Sequence, residues 1–324
     1  MENSQNIPDI KRTFIQDHKK IDFTFVQNKF DFIVEEIPNR EFSGTGNFLI
    51  LKIKKEWLST WDLIREISET LDIDEHKIGY AGLKDKNATT TQYISIPLIK
   101  EKYLKALKKP NIKILAVYKD KSGLNIGDLT GNKFTINLKD VKEEVVPAIY
   151  SVLSKIQKHG LPNYFGYQRF GQDYNFQKAQ DVTYGEEIVK NKKLEHLLIS
   201  AYQSYFFNAW LSHRVQMSKE ENLNKLKPLN GDIFLNNDKV TITGLLPGRK
   251  VVRSSGDARE IEKIFDDEFV HAKGFRREAW IKVDDLKNKY NAEEQKLTLS
   301  FTLPKGSYAT VLIENIANMN FKSN

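Results

Sequence analysis

Residues 79–97 read GYAGLKDKNATTTQYISIP, with a lone carboxylate, Asp85, between Lys84 and Lys86. The flanks have another character. Ile78 to Ala81 is small and apolar, and Thr89 to Ile96 is a β-branched run of strand type. The stretch therefore predicts a compact charged turn joining two buried elements. Whatever surrounds that strand decides the fold.

Outward on the N-terminal side, residues 21–37 predict a strand from the alternation of Phe23 and Phe25, then Phe30, Phe32 and Val34. EFSGTGNFLILKIKK (41–55) predicts a glycine turn and a strand over 48–53. A helix follows. Ser59 and Asp62 fit a capping box, and Trp61, Ile64, Ile67 and Leu71 share a face. On the C-terminal side come a short helix stopped before Pro110, the strands NIKILAVYKD and NKFTINLKD, and a helix ending at Gly160. Helical patterns dominate from a glycine-rich loop at 160–171 to about residue 217, and shorter strand and turn signals fill 230–255. QKLTLSFTLP is a last strand, before a helix that Ser307 is expected to cap. Strands and helices mix without regular alternation, so the fold class is α+β rather than doubly wound α/β.

Composition narrows the chemistry. The chain of 324 residues has no cysteine, which removes disulfide frameworks and thiolate catalysis. No signal-peptide core opens the sequence. The most apolar long segment, 197–214, is interrupted by Gln203, Ser204, Asn208 and His213 and is too short to span a bilayer. A cytoplasmic protein with no membrane partner is expected. The six histidines show no metal-ligand spacing, GxSxG and a Walker loop are missing, and GTGNFL lacks the third glycine of a dinucleotide loop. A reaction without metal or cofactor remains. The net charge of +7 points to an anionic partner or to a lysine-rich surface. Basic residues set beside aromatics, in NYFGYQRFG (163–171) and KGFRREAW (273–280), tilt this toward unpaired bases and phosphates.

An aspartate without a cofactor can be a nucleophile or a general base. Lys84 and Lys86 favour its ionised form if they turn toward it, whereas neighbours on an extended chain point opposite ways. Taken alone, KDK reads as a solvated turn before it reads as a site.

In context the residues resemble a known family. YAGLKDKNATTTQYISI is similar to the signature of the TruD-type tRNA pseudouridine synthases. Four further blocks agree in order: KFDFIVEEIP with EDFxVxE, GNKFTINL (131–138) with GNxFxI, GLPNYFGYQRFG (160–171), and FTLPKGSYATVLIENI (301–316) with LPxGSFAT and a helix. The resemblance implies isomerisation of a tRNA uridine, uridine 13 in the bacterial family, to pseudouridine, without cofactor or obligatory protein partner. It implies a catalytic role for Asp85 and substrate binding by Phe32, Asn132 and Tyr308, the last standing where phenylalanine is usual. Asn47 stands where histidine is common. Lys84 and Arg169 become candidates for phosphate contact or for orienting Asp85. The implied architecture is a discontinuous catalytic domain, 1–159 with 278–324, whose mostly antiparallel central sheet is flanked by helices. An α/β TRUD domain, 160–277, is inserted in it, with RNA held between the two. An RNA-binding protein without catalysis and an aspartate-dependent enzyme acting on a small molecule are the alternatives.

Overall fold

The computed structural model describes residues 11–170, 176–235 and 240–321. The first ten residues and Gly171, which closes the block 160–171, lie outside them. The chain forms two compact units, one of Asp22–Val146 with Asp284–Gly306, the other of Met1–Ile21, Pro147–Val283 and Ser307–Asn324. These cuts differ from the expected domain boundaries, because the two ends of the chain go with the middle segment.

The first unit carries β1 (Phe32–Pro38), β2 (Phe48–Glu56), α1 (Thr60–Leu71), β3 (Gly79–Tyr80), β4 (Thr89–Pro97), β5 (Ile112–Asp120) and β6 (Leu129–Leu138). The chain then passes through α2 (Val146–His159), β7 (Leu161–Pro162), α3 (Phe176–Tyr184), α4 (Lys192–Glu220), β8 (Thr243–Leu246), α5 (Gly256–Glu262), β9 (Phe275–Glu278) and β10 (Trp280–Ile281). It returns to the first unit in β11 (Asp284–Asn291) and β12 (Lys296–Pro304), and ends in α6 (Ala309–Ala317). The main sheet runs β11-β12-β6-β1-β4-β2-β5, with β3 added on β4. β1 and β4 pair in parallel, and the other pairings of this sheet are antiparallel. The mixed, mostly antiparallel sheet agrees with the α+β expectation.

β4 is buried from Thr89 to Ile96 because both its faces are covered, which is why its sequence, rich in Thr and Ile, does not alternate between apolar and charged residues. On one face Ile94 and Ile96 meet Leu49, Leu51 and Ile53 of β2 and the inner side of α1. α1 starts as expected: Ser59 Oγ accepts from the Asp62 amide, and Asp62 accepts from the Ser59 amide. Its buried side is Leu63, Ile64, Ile67 and Leu71, each worth about 2 kcal/mol of apolar burial. Trp61 is not on that side. It is 36% exposed and meets Tyr80 edge to face at 5.5 Å.

Two further expectations change. The strand predicted over 21–37 is real only from Phe32. Upstream, Asn28 Oδ1 accepts from the amides of Phe30 and Asp31, so the side chain folds a turn that breaks the ladder. Thr24 keeps an isolated bridge to Lys139, and Phe30 turns to solvent. Ser307 does not cap α6. The cap position is Tyr308 without a side-chain bond, and Ser307 Oγ is buried without a partner among the described residues.

In the second unit α2 stops at Gly160, whose φ of +78° no side chain adopts cheaply. A Cβ there would also stand 2.2 Å from the Ile281 carbonyl oxygen on β10. α4 is long but polar on part of its surface, with Arg214 buried in a two-bonded pair with Asp232 at 2.8 and 2.9 Å. Among the described residues no helix is long and apolar enough to cross a membrane.

Candidate active site

Asp85 lies in the loop between β3 and β4. Since β4 pairs with β1 at Thr89–Thr91 and with β2 at Glu56, the loop emerges where three strands end together. Four charged groups meet here. Lys84 turns inward: its amide donates to Thr60 Oγ1 at 2.8 Å and its ammonium donates to Glu36 Oε2 at 2.5 Å. Glu36 is buried as well, and its other oxygen accepts from the Tyr93 amide at 3.1 Å. Lys55, from the end of β2, is fully buried. Its ammonium donates to the Leu58 carbonyl and, at 3.4 Å, to the backbone carbonyl of Asp85. Gly82 makes room for this cluster, because a Cβ there would press on Lys84 Nζ at 3.3 Å.

Asp85 itself keeps its side chain open to solvent, as do Lys86 and Asn87. Protein nevertheless crowds around it. That crowding pushes the Asp85 carboxyl above the usual carboxylate range, against the pull of the Lys55 and Lys84 ammonium groups. Burial also pulls Lys55 down to about 8, with Asp85 resisting the shift and Lys84 adding to it.

Asn132 belongs to the same unit. On β6 it stands opposite Glu36 of β1 and Leu303 of β12. Its side-chain oxygen is buried and has no partner among the described residues, which is expensive unless something occupies the site. Phe32 lies four residues before Glu36 on the same buried face of β1. Only 2% of it is exposed, and its ring contacts Phe25 and Phe134, both with centroids at 6.1 Å. A base can stack on Phe32 only if one of those rings moves aside.

Tyr308 and Arg169 belong to the other unit. The Tyr308 ring meets Phe165 edge to face at 6.0 Å. Arg277 lies over the same Phe165 ring at 4.0 Å and Arg169 over it at 5.2 Å. Arg277 donates to the carbonyl and side-chain oxygens of Asn163, and Arg169 donates to Ser204 Oγ at 3.0 Å. Burial lowers Arg277 to about 10, with Tyr308 opposing and Arg169 assisting.

Sequence reasoning missed three of these groups. Glu36 had a signal, as the final glutamate of KFDFIVEEIP; Arg277 sat unassigned in KGFRREAW. Lys55 had none, being one of a run of lysines whose strand alternation alone does not say which is buried.

The family model described as tRNA pseudouridine synthase D (TruD) matches residues 11–192 and 233–316. Among curated relatives, a tRNA pseudouridine synthase D of Nitratiruptor sp. is 41% identical, covering 96% of this chain and 99% of that protein. One from Sulfurimonas denitrificans is 40% identical, covering 94% and 98%. One from Helicobacter pylori is 33% identical, covering 95% and 96%. A crystal structure from Methanosarcina mazei, assigned to tRNA pseudouridine synthase D, superposes with a TM-score of 0.70. It is 24% identical and covers 97% of this chain and 99% of that one, and it shares the fold.

Proposed function

This chain belongs to the TruD family, tRNA pseudouridine synthase D, and from that premise we propose that it isomerises uridine 13 of tRNA to pseudouridine with Asp85 as the reacting carboxylate. The observation that carries the reading is the isolation of Asp85. Of the two carboxylates in the four-charge cluster, Glu36 is buried and bound to Lys84, while Asp85 alone is open to an incoming molecule.

The reaction breaks the bond from the sugar C1′ to N1 of the base and forms one from C1′ to C5. C5 loses a proton and N1 takes one, so atoms balance without a co-reactant. Asp85 promotes the cleavage by attacking C1′ or by acting as a base on the sugar. The uridine must first leave its stack, which costs a few kcal/mol. Asn132 then receives the base: its unpartnered amide oxygen accepts the N3–H of uracil. Phe32 contributes by fixing β1, which carries Glu36. Tyr308 supplies a ring for stacking, and Arg169 a charge for the RNA backbone. Residues 160–277 form the inserted domain, and the enzyme works in the cytoplasm, where its tRNA is.

Incubation with tRNA tritiated at C5 of uridine tests this. The wild-type protein should release tritium from one position, uridine 13. Asp85→Asn, nearly isosteric but neither nucleophile nor carboxylate base, should release none while binding tRNA with little change. Substantial release by Asp85→Asn would remove the carboxylate from the mechanism, and release from another position would correct the target.

A further inference from the structure

Trp57 forms the turn between β2 and α1, two residues after Lys55. Its φ is +55°, the left-handed region. Among the described residues the other non-glycine positions with positive φ are aspartate, asparagine, glutamine and lysine, so Trp57 is the single bulky ring held this way. Glycine would make the same turn without strain. Trp57 is 44% exposed, and no ring or cation of the described residues stacks on it.

The turn is nevertheless fixed in place. Lys55 bonds the carbonyls of Leu58 and Asp85, so one ammonium ties the Trp57 turn to the Asp85 loop. The Glu56 amide donates to the Asn111 carbonyl at 3.1 Å on the other side. The residues next to Trp57 in the chain and in the adjoining loop carry more positive than negative charge. Glu56 is flanked by Lys29 at 3.3 Å and Lys54 at 3.6 Å, and Lys86 is exposed in the next loop.

We infer that Trp57 is a stacking platform for an unpaired nucleobase of the RNA next to the uridine that reaches Asp85. An exposed ring on a turn whose backbone is tied down, with lysines on the neighbouring residues, suits a base face joined to phosphates. The inference rests on the proposed reaction only for the identity of the RNA. It explains why the turn keeps a residue that its backbone disfavours: strain of this kind persists where a function uses it.

The test is Trp57→Gly, with Trp57→Phe beside it. Binding of a tRNA transcript is read by fluorescence anisotropy and pseudouridine formation by tritium release. Trp57→Gly should keep or raise the thermal midpoint while weakening tRNA binding about tenfold. Trp57→Phe should recover most of the binding. In a transcript made abasic at one nucleotide beside the target, wild type and Trp57→Gly should bind alike, because the stacking partner is gone from both. Unchanged binding by Trp57→Gly would overturn the inference. So would a lowered midpoint with normal binding by the folded fraction, which would make Trp57 a packing residue, or additive effects of variant and lesion at every neighbouring nucleotide. A wild-type protein that binds tRNA but forms no pseudouridine would instead defeat the proposed reaction and leave the stacking readout intact.

Discussion

Lys55→Met separates the two jobs of the buried ammonium, and its size can be worked out. In the unfolded chain Lys55 titrates near 10.5, and in the fold burial brings it to about 8, with the attraction of Asp85 already included. At about 1.4 kcal/mol per pKa unit, holding that charge inside disfavours the folded state by roughly 3 kcal/mol at pH 7. Between pH 8 and 10.5 the unfolded chain binds the extra proton, so wild-type stability rises with pH across that window. Methionine fills similar space without charge. It forfeits the bonds to the Leu58 and Asp85 carbonyls, about 1 kcal/mol each. The variant should therefore be about 1 kcal/mol more stable than wild type at pH 7, with the advantage vanishing by about pH 9. Hydrogen exchange at the β2 and β4 amides, compared at matched pH, reads this locally. Activity should move the other way. Without the ammonium the Asp85 carboxyl rises further, so the acid limb of the single-turnover rate should shift to higher pH. A variant several kcal/mol less stable at pH 7, by a margin indifferent to pH, would refute the reasoning. So would an unshifted pH profile.

Glu36→Gln leaves the buried Lys84 ammonium facing a neutral amide and should cost about 3 kcal/mol in urea unfolding, with slower isomerisation from a loosened loop. Tyr308→Phe should be nearly silent and Tyr308→Ala about tenfold slower in single turnover if the ring stacks on a base; a stability loss with normal activity would mean that it only packs on Phe165. Affinity for tRNA should fall steeply as salt rises, through lost counterion release, and a flat response over a several-fold range would detach the net charge of +7 from RNA binding.

The elements that the sequence showed best are those whose causes are local. The Ser59–Asp62 box, the stop at Gly160 and the buried run of β4 each follow from a few adjacent residues, and the structure has all three. Two local readings failed for equally local reasons. Asn28 folds a turn by bonding two nearby amides, which the Phe23-to-Phe32 alternation hides. Trp61 falls beside, not on, the buried stripe of α1, because Leu63 takes the place given to it. The charge cluster was legible only in part. Asp85 and Lys84 are neighbours in a recognisable block, but Lys55 and Glu36 reach them from other strands, and long-range register is not written in any one segment.

The register also answers what KDK is for. The loop side chains do not simply alternate: Lys84 goes in to Glu36, while Asp85, Lys86 and Asn87 all stay exposed. Lys84 is therefore a structural cation, neutralised by Glu36 at 2.5 Å. With that pair closed, Lys55 is the ammonium that opposes most strongly the effect of burial on the Asp85 carboxyl, and Asp85 in turn holds Lys55 up. The match is deliberately incomplete in physical terms. Lys55 bonds the backbone of Asp85, so its ammonium opposes the upward push of burial on the carboxyl without occupying the carboxyl oxygens. A direct ion pair would have stabilised the anion and blocked its attack together. Separating those effects, one ammonium on the loop backbone and the carboxylate turned to solvent, is the arrangement that the reaction proposed for Asp85 requires.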